Sequence, residues 1–286
     1  MKSIMKQYPL VSYFVLAYLL SWLLWVPLAI VNSISEVPEA LMLLLFVGIW
    51  GPTVAGFIMT RVVDGKEGVS RLWARYRNWR VGFQWYLVVF FAVPVIIAGG
   101  MAIYAFQGNS IGQFVPKALP LALLVAIPAV LFGPLGEEAG WRGFALPRLQ
   151  DKYSAFWSSI ILGILHTFWH LPLFWLPGGT PISGGPVTLV GVVSFLSMVI
   201  IGTFIYTWVF NHTRGSMLMA VLLHLSLNTA TDIGFAMFPD ISEAAQYHIQ
   251  WELGNIPGWI MVVLLLILFG AARLSRQPVS QEPAEG

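Results

Sequence analysis

Apolar residues fall along this chain in long blocks separated by short polar links. Eight blocks reach or approach the roughly 20 residues that a helix needs to cross a bilayer. Their approximate limits are 8–31, 39–62, 82–106, 117–136, 155–176, 187–210, 216–238 and 256–273. The pattern predicts an all-α fold, a polytopic membrane helix bundle of about eight transmembrane helices. Because the links are short, residues 1–276 read as one domain with no soluble module. No small-residue cleavage site follows the first block, so a retained span is expected rather than a signal peptide. The segment from Gln277 carries two prolines and two glutamates and is expected to be a disordered tail.

Composition supports the membrane assignment. Of 286 residues, 58% are hydrophobic and 10% charged, whereas a soluble domain carries about 25% charged residues. The net charge of +2 is too small to imply a nucleic-acid partner. There are no cysteines, which excludes disulfides, thiolate metal ligands and a thiol nucleophile; any metal would need His, Asp or Glu.

The distribution of charge sets the orientation. Lys2 and Lys6 precede the first block, and Arg61, Lys66, Arg71, Arg75, Arg77 and Arg80 crowd the link between the second and third. Arg142, Arg148 and Lys152 follow the fourth, Arg214 the sixth, Arg273 and Arg276 the eighth. The alternate links hold Glu36, Glu39, Asp240, Glu243 and Glu252, with Lys117 at a boundary. Fourteen of the fifteen basic residues thus fall on one side, which the positive-inside rule makes cytoplasmic. An even number of spans puts both termini there. Arg61–Arg80, with Trp73, Tyr76 and Trp79, reads either as an ordinary basic loop or as a short amphipathic helix on the anionic inner leaflet.

Against this background, a few polar residues inside the apolar blocks become conspicuous. Gly136-Glu137-Glu138-Ala139-Gly140-Trp141-Arg142 places two adjacent carboxylates and an arginine directly after an apolar run, where ionisable groups are costly. On a helix Glu138 and Arg142 share a face and can pair, while Glu137 points about 100° away and is free for chemistry. His166 and His170 are four apart in the fifth block, and His224 and Asn228 four apart in the seventh. His212 and His248 are expected in links. Counting about 1.5 Å per residue, His224 lies about 13 Å and His170 about 20 Å from the basic side. Glu137 reaches a similar depth only if its helix continues to about Arg148, and no turn signal precedes Pro147.

A carboxylate in an apolar cavity suits a general base. Glu137 would deprotonate a water held by His170, and His224 with Asn228 would donate to the oxygen of a tetrahedral intermediate. One glutamate and two histidines also make an acceptable zinc set, so a metal-held water and a glutamate-held water both remain open. No Gly-x-Ser-x-Gly elbow supports a covalent route. Two other function classes fit membrane-embedded Glu and His residues: a proton- or ion-coupled transporter and a non-catalytic binding or immunity protein.

At these residues the chain resembles the intramembrane CAAX-protease and bacteriocin-processing (CPBP, or ABI) family, which includes the type II CAAX prenyl endopeptidases. Glu137, Glu138 and Arg142 match its Glu-Glu-x-x-x-Arg motif, and His224 and Asn228 its His-x-x-x-Asn motif. Trp169-His170-Leu171-Pro172 is similar to the family's second motif, with His170 as the motif histidine and His166 at the position where the pattern has an aromatic residue. The resemblance covers about residues 117–230. It implies a multi-pass endopeptidase whose first Glu and motif His activate water and whose second His and Asn stabilise the oxyanion, with Glu138, Arg142 and His166 in support. It further implies a membrane-associated peptide or lipidated protein as substrate, of the prenylated CAAX type in the family's eukaryotic members. The cofactor stays open between none and a divalent metal such as zinc.

Overall fold

The computed structural model describes residues 2–34, 37–120, 124, 133–176 and 187–276. Helices account for every regular element among them. After the short α1 (Lys2–Gln7), α2 (Pro9–Ile34) crosses the bundle, and α3 (Glu39–Ile49) and α4 (Gly51–Val63) form one nearly continuous span. Then come α5 (Gly65–Tyr76), α6 (Phe83–Phe106), α7 (Pro134–Gly140), α8 (Leu146–Gln150), α9 (Ala155–Trp169), α10 (Leu189–His212), α11 (Met217–Ala236), α12 (Glu243–Tyr247) and α13 (Asn255–Phe269). Among the described residues, six helical stretches are long and apolar enough to cross a membrane. This is a multi-pass membrane protein.

Those six correspond to six of the eight predicted blocks. The fourth, 117–136, lies for the most part outside the described residues, as does the tail from Gln277. The fifth is shorter than its apolar run suggests. α9 ends at Trp169 and a 3₁₀ turn, Leu171–Trp175, follows, because Pro172 cannot donate to a continuing helix and disfavours helical backbone before it. The last span begins earlier than predicted, at Glu243, and ends at Phe269, where Gly270 takes φ +76°. His248 and Glu252 therefore sit on a π-helical turn, His248–Leu253, and pair at 2.8 Å rather than lying in a link. His212 likewise is the last residue of α10, its ring 4.9 Å from that of Trp85. α5 is the amphipathic helix that the basic segment allowed, with Gly68 and Leu72 buried, Arg71 exposed and Arg75 directed inward toward Gly143 and the Phe210 ring.

The polar motifs are placed by α7. Gly133, with φ +116°, breaks the backbone, and Pro134 starts a new helix at a position where its missing N–H costs nothing. From there α7, a π-helical turn Trp141–Ala145, and α8 run without interruption to Gln150. Pro147 removes the hydrogen bond that the Gly143 carbonyl would have received four residues earlier. Arg75 of α5 supplies a donor instead, Nη1 lying 3.3 Å from Gly143 O. Arg148 secures the end of the run by an ion pair with Asp64 and by packing 3.8 Å over the Phe144 ring.

Small residues let this run lie against α4. A Cβ at Gly140 would come within 2.2 Å of Pro52 O and 2.4 Å of the Tyr13 hydroxyl, and one at Gly136 within 3.0 Å of Ile49 O. From the other side, a Cβ at Gly56 would come within 2.9 Å of Ala139 O and Gly140 Cα. Helices within a bilayer gain little from the hydrophobic effect, so such backbone proximity is a main source of their association. The alternation Gly136-x-x-x-Gly140 thus fixes which way Glu137 and Glu138 point. Gly140→Ala is expected to destabilise the protein by roughly 1–3 kcal/mol and to lower its thermal midpoint in detergent, with membrane insertion retained. An unchanged midpoint would show that α7 can move away from α4 without cost.

Candidate active site

Glu138 is fully buried, and its Oε1 accepts from Arg142 Nη1 at 3.0 Å and from His224 Nδ1 at 2.6 Å. The predicted i, i+4 pair is therefore present, with His224 as a second partner reaching across from α11. Tyr206 of α10 covers the guanidinium, with Arg142 Cζ 3.6 Å from its ring centroid, a distance at which a desolvated cation–π contact is strong. This buried cluster joins α7, α10 and α11.

Glu137 faces the other way. Its Oε2 lies 2.8 Å from His166 Nε2 and 3.2 Å from Trp141 Nε1, so both contacts fall on one oxygen. Trp141, one turn along the same run, also packs on the His166 ring at 4.8 Å. His170 sits next to His166, with ring centroids 4.9 Å apart, and its Nδ1 lies 2.9 Å from His166 O. A carbonyl oxygen only accepts, so Nδ1 of His170 carries the proton and Nε2 is left as an acceptor or ligand. Ligand atoms of Glu137, His166 and His170 all lie within 4.8 Å of one another.

His224 and Asn228 complete the arrangement from α11, which is capped by Ser216, whose side chain accepts from Met219 N. With Nδ1 given to Glu138, His224 turns Nε2 toward Gly133. A Cβ on Gly133 would lie 2.7 Å from Asn228 Nδ2, 3.4 Å from His224 Nε2 and 3.8 Å from Glu137 Oε1. These three polar atoms therefore surround one small volume, kept open by the absence of a side chain. It belongs to a cavity of about 710 Å³ whose lining includes Glu137, Arg142, His166, His170, His224 and Asn228 and is otherwise largely apolar.

Donors from α2 hold α9, and with it the two histidines, in place. Tyr18 donates to Leu165 O, Trp22 Nε1 to Trp169 O at 2.9 Å, and Ser21 Oγ accepts from Trp169 Nε1 at 2.8 Å. The last carbonyls of a helix lack partners within it, and here Trp22 of the neighbouring span supplies one to Trp169 O.

All seven residues singled out by sequence thus line or adjoin one cavity. Two contacts go beyond what the spacing specified: His166 touches Glu137, and His224 pairs with Glu138. Four contributors escape the motif reading. Trp141 and Gly133 lie one helical turn to either side of Glu137, Tyr206 is an aromatic residue in a featureless apolar block, and Asp232 follows Asn228 by four. The i±4 spacing from a motif residue could have flagged all but Tyr206.

Residues 119–230 match the family described as type II CAAX prenyl endopeptidase Rce1-like. The chain resembles that family in its motif-bearing core. A CAAX prenyl protease 2 from Methanococcus maripaludis is 26% identical over 226 residues, which cover 76% of this chain and 81% of the relative. The likeness therefore extends well beyond the motifs into the flanking helices.

Removing one member of the buried cluster leaves the other as an uncompensated charge. Arg142→Ala and Glu138→Ala are each expected to cost roughly 3–5 kcal/mol of stability, and the double variant less than the sum of the two. Thermal unfolding of the purified variants in one detergent measures this. Strict additivity would mean that the pair is not energetically coupled.

Proposed function

We propose that this protein is an intramembrane endopeptidase that hydrolyses a peptide bond of a membrane-associated substrate, prenylated CAAX-type peptides included, using water activated at Glu137. The observation that carries this reading is the unequal use of the Glu137 oxygens. Oε2 is held by His166 and Trp141, while Oε1 faces the hollow at Gly133 with His224 Nε2 and Asn228 Nδ2 around it. A base held by one oxygen and open at the other, opposite two groups of oxyanion-hole type, suits attack of water on a carbonyl.

In this mechanism Oε1 takes a proton from water as the water oxygen adds to the carbonyl carbon. The carbonyl oxygen becomes an oxyanion beside Asn228 Nδ2 and His224 Nε2. Donation from that nitrogen requires His224 to carry both ring protons, with Glu138 as counter-ion on Nδ1. As the C–N bond breaks, the proton held by Glu137 passes to the leaving amine. His170 offers its bare Nε2 as an acceptor that orients the water, and His166 with Trp141 keeps the carboxylate from turning.

The donor set also fits a divalent metal. One carboxylate and two imidazoles lie close together at a cavity wall, and the contact from His170 Nδ1 to a carbonyl is the kind that orients a ligating histidine. Glu137, His166 and His170 would hold such an ion, which supplies Lewis acidity at that position. The asymmetry of basic residues supports a site reached from the cytoplasmic side of the cell membrane.

The test is cleavage of a quenched, farnesylated CAAX peptide by purified protein in detergent, with and without a strong chelator. Glu137→Ala and His170→Ala are expected to lower the rate by at least about 100-fold with the protein still folded. His166→Gln, which retains an N–H donor for Oε2, should keep more activity than His166→Ala. Cleavage that survives the chelator assigns the water to Glu137; cleavage lost to it and restored by zinc assigns Glu137, His166 and His170 as ligands. Normal cleavage by folded Glu137→Ala would overturn the reading.

A further inference from the structure

The cavity contains a carboxylate that the proposed mechanism does not use. Asp232 lies near the end of α11, one turn beyond Asn228 and two beyond His224, along the same helical face. It lines the same cavity and has no hydrogen bond or ion pair with any described residue. Its side chain is exposed and so is open to a charged group that enters the cavity.

Among the described residues it has no counter-ion. Arg142 is the only arginine or lysine among the described residues lining the cavity, and it is already paired with Glu138 and covered by Tyr206. The other groups brought to the cavity by the last span are Gln250 and Trp251. The Trp251 ring is stacked on Phe195 at 5.5 Å, an orientation that fixes its aromatic face. A carboxylate, an amide and an indole are the groups that favour a cationic side chain, by charge, hydrogen bonding and cation–π attraction. With Glu137 also anionic, the field in the cavity attracts positive charge.

We propose that Asp232, with Gln250 and Trp251, forms a subsite for a lysine or arginine side chain of the peptide substrate. This rests on the endopeptidase reading. The four residues from Asn228 to Asp232 rise about 6 Å along the helix, and an extended peptide advances about 3.3 Å per residue. The cationic residue therefore lies about two positions from the scissile bond.

The experiment compares membrane-anchored fluorogenic peptides that carry either lysine or norleucine at each of three positions on both sides of the scissile bond. Wild type is expected to favour lysine at one position by about tenfold in kcat/KM, expressed mainly in KM, the size of one charge-assisted contact. In Asp232→Asn the lysine-to-norleucine ratio should fall to within twofold of one, and in Asp232→Lys the preference should pass to a glutamate peptide. Binding of the same labelled peptides to Glu137→Gln, read by anisotropy, separates the two proposals. Cleavage without any lysine preference, or a preference that Asp232→Asn retains, overturns the subsite and leaves the endopeptidase reading standing. Lysine-selective binding that depends on Asp232, without cleavage by wild type, upholds the subsite and removes the endopeptidase. Neither cleavage nor Asp232-dependent binding overturns both.

Discussion

The structure depends on one buried carboxylate. Glu138 is out of contact with solvent and takes its compensation from Arg142 on its own helical run and His224 on α11. A charge in that position is tolerable only while both partners are in place, so the pair constrains three helices at once. It fixes the rotation of α7, holds α11 at the height where Asn228 meets Gly133, and leaves His224 Nε2 directed into the cavity. Adjacent glutamates of identical chemistry thereby receive opposite tasks. One is consumed by structure, and its neighbour keeps an open oxygen.

Backbone proximity supplies the rest of that constraint. The contacts of Gly136 and Gly140 with Ile49, Pro52 and Tyr13 leave no room for α7 to roll, and a roll of one residue would exchange the two carboxylates. The π-helical turn at Trp141–Ala145 then carries the chain past Pro147 while Trp141 stays within reach of Glu137. Such turns are frequent at functional sites, and here the turn itself carries Trp141, which holds Glu137, and Arg142, which anchors Glu138.

Much of this was legible in the sequence. Polar residues in apolar blocks stand out sharply, and i, i+4 spacing survives whatever the tertiary arrangement, so the Glu138–Arg142 pair and the shared faces of His166/His170 and His224/Asn228 were all readable. The continuation of the Glu137 helix past Arg142 was readable too, because nothing before Pro147 could stop it. The partner of each group across helices was not. Whether His166 or His170 meets Glu137 depends on the rotation of α9, which is set by donors from α2 that look like ordinary aromatic residues in an apolar run. Tyr206 is invisible for the same reason. Helix ends were misjudged where a single Pro172 or Gly270 outweighed the hydropathy around it.

The bonds from α2 to α9 have a practical meaning. Tyr18, Ser21 and Trp22 lie about a hundred residues before the segment that carries the family motifs, yet they complete the helix end on which both histidines stand. The motif-bearing segment is therefore not portable: moved into another bundle, it would bring its chemistry but not the scaffold that aims it. A substitution at Tyr18, Ser21 or Trp22 that kept the hydropathy of the first span would still remove one of these hydrogen bonds, in a region where no motif marks it.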